Sequence, residues 1–217
     1  MQLVLMGPPG AGKGTQGPWI AEAYQLPIVA TGDMFREAVA AGTELGKLAK
    51  SYMDRGAYVP DEVTVGIVRE RLSQPDCAKG FVLDGFPRTA AQAEALDRIL
   101  AEQHRQLTLV LYFDVPQEAL LERLSGRWVC RQCGATYHVR FHPPQQSGRC
   151  DKCGGELYQR PDDTRETALH RLEVYEQETA SLRSLYEARG LLRRIDAEAP
   201  IEQVRQQVRD VLEEVDR

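Results

Sequence analysis

The stretch Met1–Gln16, MQLVLMGPPGAGKGTQ, decides the fold of this chain. Its apolar run Leu3–Met6 stops at Gly7, which predicts a short buried strand followed by a glycine-rich loop. Lys13 and Thr15 come where a helix should begin. Such a loop directs several backbone amides at one point, and the helix N-terminus adds a partial positive charge. Lys13 adds a full charge, and Thr15 offers a hydroxyl to a hydrated magnesium ion. The stretch therefore predicts a cradle for a polyphosphate.

The spacing of this loop departs from the strict P-loop pattern, in which Ser or Thr directly follows the lysine. Here Gly14 intervenes and Thr15 comes one residue later. This variant resembles the loop of nucleoside monophosphate kinases. The alternative is a glycine-rich turn between strand and helix that holds no ligand.

Composition indicates an ordinary globular protein of one or two domains. Of the 217 residues, 42% are hydrophobic and 27% charged, and the formal net charge of −5 does not favour nucleic acid or an anionic membrane as a partner. No apolar run approaches the roughly 20 residues that span a bilayer, and the N-terminus lacks the features of a signal peptide. We therefore expect a cytoplasmic protein.

Short apolar runs alternate with segments of helical periodicity, which predicts an α/β fold with a five-stranded parallel sheet flanked by helices. The predicted strands are 3–6, 27–30, 81–83, 107–113 and 191–195. In such a sheet, ligands bind at the carboxyl ends of the strands. Two insertions interrupt the alternation: a small helical one and a segment that contains the paired cysteines and lacks helical periodicity. The predicted domains are a core (1–30, 61–126 and 164–217), a helical insertion (31–60) and a cysteine-containing insertion (127–163).

One local conflict lies directly behind the loop. Gly17 and Pro18 fall inside the first predicted helix, 14–24. A proline beyond the first turn removes a backbone donor and can cost about 3 kcal/mol. The expected resolution is that Pro18 lies close enough to the helix start for the lost bond to be weak or replaced by water. A later stretch, 167–189, is predicted to form one continuous helix, and Thr31 or Asp33 is expected to cap a helix that begins at Met34.

Charged residues cluster around the predicted strand ends. Asp84 ends the third strand, where a P-loop protein holds an acid near magnesium, although a lone Asp there can also cap a turn. Six arginines follow strands or flank the insertions: Arg36, Arg88, Arg123, Arg127, Arg160 and Arg171. Singly, each could be a solvated helix residue, but phosphoryl transfer needs several such cations at once. A phosphate acceptor, already ionised near pH 7, would need no general base.

The cysteine pairs predict a metal site. Cys130-x-x-Cys133 and Cys150-x-x-Cys153 are separated by sixteen residues, the spacing of a zinc ribbon with a closed, structural site. Two disulfides are one alternative. A ribbon that binds nucleic acid, with Trp128, Tyr137 and Phe141, is another. Cys77 is unpaired, and His138 and His142 exceed the needs of a four-cysteine site.

Four motifs together resemble the adenylate kinase family, specifically its bacterial type with a long, zinc-holding LID. They are GPPGAGKGTQ (7–16), TGDMFR (31–36), FVLDGFPRTAAQ (81–92) and the two CxxC pairs, in the expected order along nearly the whole chain. The resemblance implies reversible phosphoryl transfer from MgATP to AMP, giving two ADP. It also implies a monomer that binds ATP, AMP and ADP, with Mg²⁺ accompanying ATP and structural Zn²⁺ in the LID. The insertion 31–60 would be the AMP-binding domain and 127–163 the LID, and both would close over the nucleotides.

Site residues follow from the same resemblance, position by position. The ATP side would comprise Gly10, Ala11, Gly12, Lys13, Gly14, Thr15, Arg123, Arg127, Thr136, Tyr137 and Ala199. The AMP side would comprise Thr31, Arg36, Ala57, Tyr58, Val59, Gly85, Phe86, Pro87, Arg88, Gln92, Arg160 and Arg171. The catalytic cations would be Lys13, Arg88, Arg123, Arg160 and Arg171, with Asp84 near the hydrated magnesium and the four paired cysteines around zinc.

The chain departs from the family pattern at Gly17–Trp19, at Leu169, and at Ile195–Glu198, beside the expected donor-base contact of Ala199. A pyrimidine monophosphate kinase and a GTP:AMP phosphotransferase are the nearest rival interpretations. Gln92, similar to the glutamine that contacts adenine, and the long LID favour AMP. A P-loop protein that binds nucleic acid through a zinc ribbon is the rival from a different class.

Overall fold

A computed structural model describes residues 1–215 of the chain. Five parallel strands form the central sheet in the order β2-β3-β1-β4-β8. They are β1 (Gln2–Met6), β2 (Ile28–Ala30), β3 (Phe81–Asp84), β4 (Leu109–Asp114) and β8 (Leu192–Asp196). The prediction of a five-stranded parallel sheet is confirmed. β1 is central, and its Leu5 pairs with Asp84 of β3 on one side and Leu111 of β4 on the other. This register brings Asp84 beside the loop that follows β1.

Helices cover both faces of the sheet. They are α1 (Lys13–Ala23), α2 (Thr31–Ala40), α3 (Glu44–Met53), α4 (Asp61–Leu72), α5 (Ala90–Glu102), α6 (Gln117–Ser125), α7 (Arg165–Val174), α8 (Ser181–Ala188) and α9 (Ile201–Val215). Alternate residues of β1 enter two different cores: Leu3 and Leu5 pack with α1, α6 and α9, whereas Val4 and Met6 pack with α4, α5 and α8. Burial on both faces explains why the strands are continuous apolar runs. Within residues 1–215, no helix has the length and apolar character needed to cross a membrane.

Helix α1 runs without a break through Pro18. Pro18 is exposed, and so is Gly14, whose carbonyl loses the bond that an amide at position 18 would have made. Gly17, in contrast, faces the sheet: a Cβ there would lie 2.8 Å from Ile28 Cδ1 and 3.1 Å from Leu5 Cδ1. The Gly-Pro pair thus combines close packing on one side of the helix with a solvent-accessible carbonyl on the other.

Two segments project from the core. In segment 31–60, α2 and α3 enclose a small apolar cluster of Phe35, Ala49 and Val59. Segment 127–163 contains a three-stranded antiparallel sheet, formed by β5 (Arg127–Cys130), β6 (Thr136–His138) and β7 (Leu157–Tyr158), with β5 in the middle. Its small core contains Cys130, Tyr137, Cys150 and Leu157.

Two helix predictions were wrong in detail. α2 begins at Thr31 directly after β2, so neither Thr31 nor Asp33 is its N-cap. The predicted helix 167–189 is divided into α7 and α8 by a π-helical turn, Tyr175–Thr179, in which the Ala180 amide donates to the Tyr175 carbonyl. Apolar spacing alone does not distinguish this wider turn from a regular α-helical one.

Candidate active site

A cavity of about 1160 Å³ opens at the carboxyl ends of the central strands, between segments 31–60 and 127–163. Most of the predicted site residues line it: Gly10, Ala11, Gly12, Lys13, Gly14, Thr15, Thr31, Arg36, Ala57, Tyr58, Val59, Asp84, Gly85, Pro87, Arg88, Gln92, Arg123, Arg127, Thr136, Tyr137, Arg160, Arg171 and Ala199. Phe86 does not; its side chain is 1% exposed and packs in the core with Met6 and Leu83. Residues far apart in sequence thus meet at the strand ends, as a doubly wound sheet requires.

The loop before α1 lines this cavity and leads into the N-terminus of the helix. Gly12 occupies the N-cap position with φ 98°, and no side chain caps the helix. Gly7, at φ 139°, passes so close to β4 that a Cβ would lie 2.6 Å from the Phe113 carbonyl oxygen. The glycines therefore hold the loop in a conformation that residues with a side chain rarely adopt. An uncapped helix N-terminus in a cavity is suited to binding an anion.

Lys13 lies folded under the loop. Its Nζ donates to the carbonyl oxygens of Gly7 at 2.5 Å and Pro8 at 2.9 Å. Burial lowers the pKa of Lys13 to about 8, and although the charge of Asp84 opposes this, nearby Arg88 and other arginines reinforce it. The negative charge of a bound ligand would raise the pKa of Lys13 and so favour its protonated form.

Asp84 is the acid whose negative charge opposes the lowering of the Lys13 pKa. Burial raises the pKa of its carboxyl, and the charges of Lys13 and Arg88 act in the opposite direction. Asp84 and Thr15 both line the cavity, and their oxygens are of the type that a hydrated magnesium ion prefers. The residues present therefore fit magnesium carried with a polyphosphate.

Three arginines lie where segment 127–163 meets α7. Arg127 Nε donates to Asp163 Oδ2 at 2.8 Å, and Arg171 contacts Asp162 Oδ2 at 3.0 Å. Burial and, to a smaller extent, the neighbouring charges of Arg36 and Arg127 lower the pKa of Arg160 to about 10. Burial lowers the pKa of Arg171 as well. Positive charges this close together in a partly buried cavity favour the binding of a ligand with several negative charges.

Arg88 and Gln92 are held by β3 and α5. Arg88 Nε donates to the Gly85 carbonyl at 2.8 Å, and its amide donates to Gln92 Oε1 at 2.7 Å. Gln92 Nε2 donates to Asp61 Oδ1 at 2.7 Å, which fixes the orientation of this buried amide. Arg123, which also lines the cavity, donates to the Ala197 carbonyl at 2.8 Å. Gln92 and Arg123 thus line the cavity from two different helices, α5 and α6.

Several functional candidates escaped the sequence analysis. Asp33 contacts Arg36 at 2.6 Å and Arg160 at 3.6 Å, and so links the two projecting segments. Asp61 orients Gln92, and Thr179 lines the cavity from the π-helical turn. Asp33 lies inside the TGDMFR motif, where the sequence predicts only a helix cap. Thr179 had no signal, because it lies within a predicted continuous helix.

The four paired cysteines meet in segment 127–163. Their Sγ atoms all lie within 4.8 Å of one another, and the Cys130–Cys153 and Cys133–Cys150 separations are both 3.5 Å. Tetrahedral coordination by thiolates at about 2.3 Å places the sulfurs about 3.8 Å apart, so the cluster fits one zinc ion. All five cysteines are free thiols, and two disulfides are not what this geometry shows. The predicted metal-ligand set is thus brought together, at one side of the cavity.

Comparison with known proteins agrees with this geometry. The sequence model of the family described as adenylate kinase matches residues 5–191. Adenylate kinase of Desulfitobacterium hafniense (strain DSM 10664 / DCB-2) is 58% identical over 213 residues, covering 98% of each chain. That of Geobacillus sp. (strain WCH70) is 59% identical over 212 residues, again covering 98% of each. That of Archaeoglobus fulgidus is 54% identical over 215 residues, covering 99% of each.

Proposed function

This chain belongs to the adenylate kinase family, and from that premise we propose how its cavity divides between two nucleotides. The reaction is the reversible transfer of a phosphoryl group from MgATP to AMP, giving two ADP. Magnesium, when bound with ATP, offsets the negative charge of the phosphates. The terminal P–O bond of ATP breaks as a new bond forms to a phosphate oxygen of AMP. That oxygen is ionised near neutral pH, so this chain needs to supply positioning and positive charge rather than a base.

The observation that carries the proposal is the group of charges around Lys13. Arg88, Arg127 and Arg171, from three separate parts of the chain, line the same cavity as Lys13 and Asp84. The loop 10–15 and Lys13 hold the phosphates of ATP, with Thr15 and Asp84 near the magnesium. Arg88, Arg160 and Arg171 reach the phosphates from the AMP side, and Arg123 from the ATP side. Together they neutralise charge on the transferring group.

The two ends of the cavity bind different bases. AMP occupies the end formed by Thr31, Arg36, 57–59, 85–88 and Gln92. ATP lies between the loop and segment 127–163, with Arg127, Thr136 and Tyr137 above it and its base near Ala199. The buried Gln92, held by Asp61, presents a fixed amide edge at the AMP end.

We further propose that segments 31–60 and 127–163 move as an AMP-binding domain and a LID relative to a core of 1–30, 61–126 and 164–217. Their closure excludes water, which would otherwise accept the phosphoryl group. Zinc, held by Cys130, Cys133, Cys150 and Cys153, is structural because its four protein ligands leave no open position. The protein acts as a cytoplasmic monomer.

A coupled assay of ADP production tests the assignment of the AMP end. With MgATP as donor, AMP, UMP, CMP, GMP and dTMP are compared as acceptors, and GTP is compared with ATP as donor. Turnover with AMP at least a hundredfold above that with any other acceptor supports the proposal. Comparable turnover with UMP or CMP would contradict it. Retention of single-stranded DNA on a filter at modest salt would instead support the nucleic-acid alternative.

A further inference from the structure

The guanidinium of Arg88 stacks on a tyrosine from a different part of the chain. Its Cζ lies 4.8 Å from the centroid of the Tyr58 ring. Tyr58 belongs to segment 31–60, whereas Arg88 follows β3 in the core. An arginine stacked on an aromatic face keeps its in-plane N–H groups free for a phosphate. Since Nε already donates to the Gly85 carbonyl, the terminal nitrogens are the ones left for a ligand.

The Tyr58 hydroxyl is itself held in place. Its Oη lies 2.9 Å from Thr179 Oγ1, and Thr179 Oγ1 donates to the Arg88 carbonyl at 2.8 Å. The one hydroxyl proton of Thr179 is used in that bond, so Tyr58 is the donor to Thr179. Thr179 is 3% exposed. Tyr58 is therefore linked to Arg88 in two ways. Its ring contacts the guanidinium directly, and its hydroxyl is connected to the Arg88 carbonyl through Thr179.

The π-helical turn is the element that supplies Thr179. The turn inserts a wider step between α7 and α8, and such turns occur frequently at functional sites. Its last residue, Thr179, and its first, Tyr175, both line the cavity. Three separate parts of the chain thus converge on Arg88: segment 31–60, the strand end at Gly85, and this turn.

We propose that the Tyr58 side chain is a positioning residue for Arg88, so that the placement of the AMP-binding segment sets the direction of the Arg88 guanidinium. The inference rests on the proposed role of Arg88 toward the AMP phosphate. When segment 31–60 lies against the core, the ring and the hydroxyl chain hold Arg88 toward the acceptor. When the segment moves away, Arg88 loses its stacking partner.

Three substitutions separate the role of the Tyr58 ring from that of its hydroxyl. Tyr58→Leu removes both, and we expect it to lower kcat/KM for AMP about tenfold, within the range of a partly desolvated cation–π contact. The KM for ATP should stay within twofold. Tyr58→Phe keeps the ring and should restore kcat/KM to within about threefold of the original enzyme. Thr179→Val keeps the ring but removes both the bond from Tyr58 and the bond to the Arg88 carbonyl, so its kcat/KM should fall between those of Tyr58→Phe and Tyr58→Leu.

A second stacked tyrosine in segment 31–60 provides a control. Arg55 stacks on Tyr52 at 4.6 Å, and neither residue lines the cavity. Tyr52→Leu therefore removes a similar stacked ring from segment 31–60 without touching Arg88. It should leave kcat/KM for AMP within twofold, at a temperature where all variants are folded.

The deciding measurement is a double-mutant cycle with Arg88→Ala, using both kcat/KM and the calorimetric dissociation constant of AMP. If Tyr58 acts through Arg88, Tyr58→Leu should change either quantity less than twofold in the Arg88→Ala background. A tenfold effect that persists there would overturn the inference, because Tyr58 would then act on AMP or on folding directly. If Arg88→Ala alone changes neither quantity, the proposed role of Arg88 fails, which is a separate outcome.

Discussion

Arg127 and Asp163 form a two-pronged ion pair at the base of segment 127–163. Arg127 Nε donates to Asp163 Oδ2 at 2.8 Å, and a terminal nitrogen of the same guanidinium donates to Oδ1. Asp163 is fully buried, and Arg171 of α7 also donates to its Oδ1, at 3.2 Å. Burial lowers the pKa of Arg127, but the hydrogen bonds to Asp163 and the negative charges of nearby aspartates together outweigh this, and the pKa is raised. One carboxylate thus joins the two ends of the segment to the core.

Asp163→Ala should destabilise the protein by about 3–5 kcal/mol, because it leaves Arg127 buried without its partner. For a chain of this length, the melting temperature should fall by roughly 6–20 °C. Thermal denaturation followed by circular dichroism measures this. Glu156→Ala is the matched control, since Glu156 pairs with Arg131 at 3.2 Å on the exposed surface of the same segment. Its cost should stay below about 1 kcal/mol. Equal losses of stability in the two variants would contradict the prediction that the buried Asp163 stabilises the fold more than the exposed Glu156.

Lys13 should take up a proton when ATP binds at alkaline pH. Burial lowers the pKa of Lys13 from 10.5 to about 8, so near pH 8.5 much of the population is neutral. Phosphate charge favours the protonated form, and binding should draw about half a proton to one proton from the buffer. Calorimetric titration with ATP at pH 8.5, in buffers of different ionisation enthalpy, measures this uptake.

Lys13→Arg should abolish that uptake, because a guanidinium stays charged throughout this range. Undiminished uptake in Lys13→Arg would assign the proton to another group. Without nucleotide, Lys13 binds more protons in the unfolded chain than in the folded one between pH 8 and 10.5. The contribution of Lys13 to folding stability therefore increases as pH rises through that window and is least favourable below pH 8.

Arg88→Ala should lower turnover by several orders of magnitude, by analogy with the roughly 10³–10⁵ supplied by an arginine that stabilises a transferring phosphoryl group. Steady-state kinetics with AMP and MgATP measures this. Arg98→Ala is the control: Arg98 lies on the exposed face of α5, 3.8 Å from Glu94, and should leave turnover unchanged. A loss of tenfold or less in Arg88→Ala would remove Arg88 from the catalytic role.

Local sequence signals predicted the parts of the site that depend on a single stretch of chain. The apolar run before Gly7, the loop glycines and Lys13 are contiguous, so strand, loop and helix start could be placed together. The metal site could likewise be predicted from the spacing of the two cysteine pairs. The family motifs then supplied the arginines, which composition alone could not have distinguished from solvated surface residues.

Contacts between distant residues could not be predicted in this way. Tyr58 and Thr179 are 121 residues apart, and neither periodicity nor motif spacing contains the information that they meet. The π-helical turn that presents Thr179 has the same apolar spacing as a regular helix. The helix tolerates Pro18 because Gly14, whose carbonyl lacks a helical partner, is exposed to water. This exposure is a property of the folded chain and could not be read from the sequence.

Zinc removal should lower stability much more than turnover. The four thiols surround one site in a segment whose apolar core is small, so coordination supplies much of its folding free energy. Treatment with a strong chelator should lower the melting temperature while kcat at low temperature changes less than twofold. Cys150→Ser should lose the zinc that a colorimetric assay detects, whereas Cys77→Ala should retain one equivalent, because Cys77 lies buried in the core. Loss of turnover in a folded, zinc-free protein would contradict a structural role.

Two helical glycines should respond oppositely to the same substitution. Gly66 lies on the exposed face of α4, and a Cβ there would meet nothing within 4 Å. Gly66→Ala should therefore stabilise the protein by up to about 1 kcal/mol, because alanine has the higher helix propensity. Gly46 of α3 is buried, and its Cβ would lie 2.1 Å from the Ala38 carbonyl oxygen, a backbone atom of α2. Gly46→Ala should force the two helices apart and lower the melting temperature. It should also raise the KM for AMP, since α2 carries Arg36, while leaving the KM for ATP nearly unchanged. Melting curves and the two KM values check this, and stabilisation by Gly46→Ala would show that α2 and α3 do not pack as closely as described.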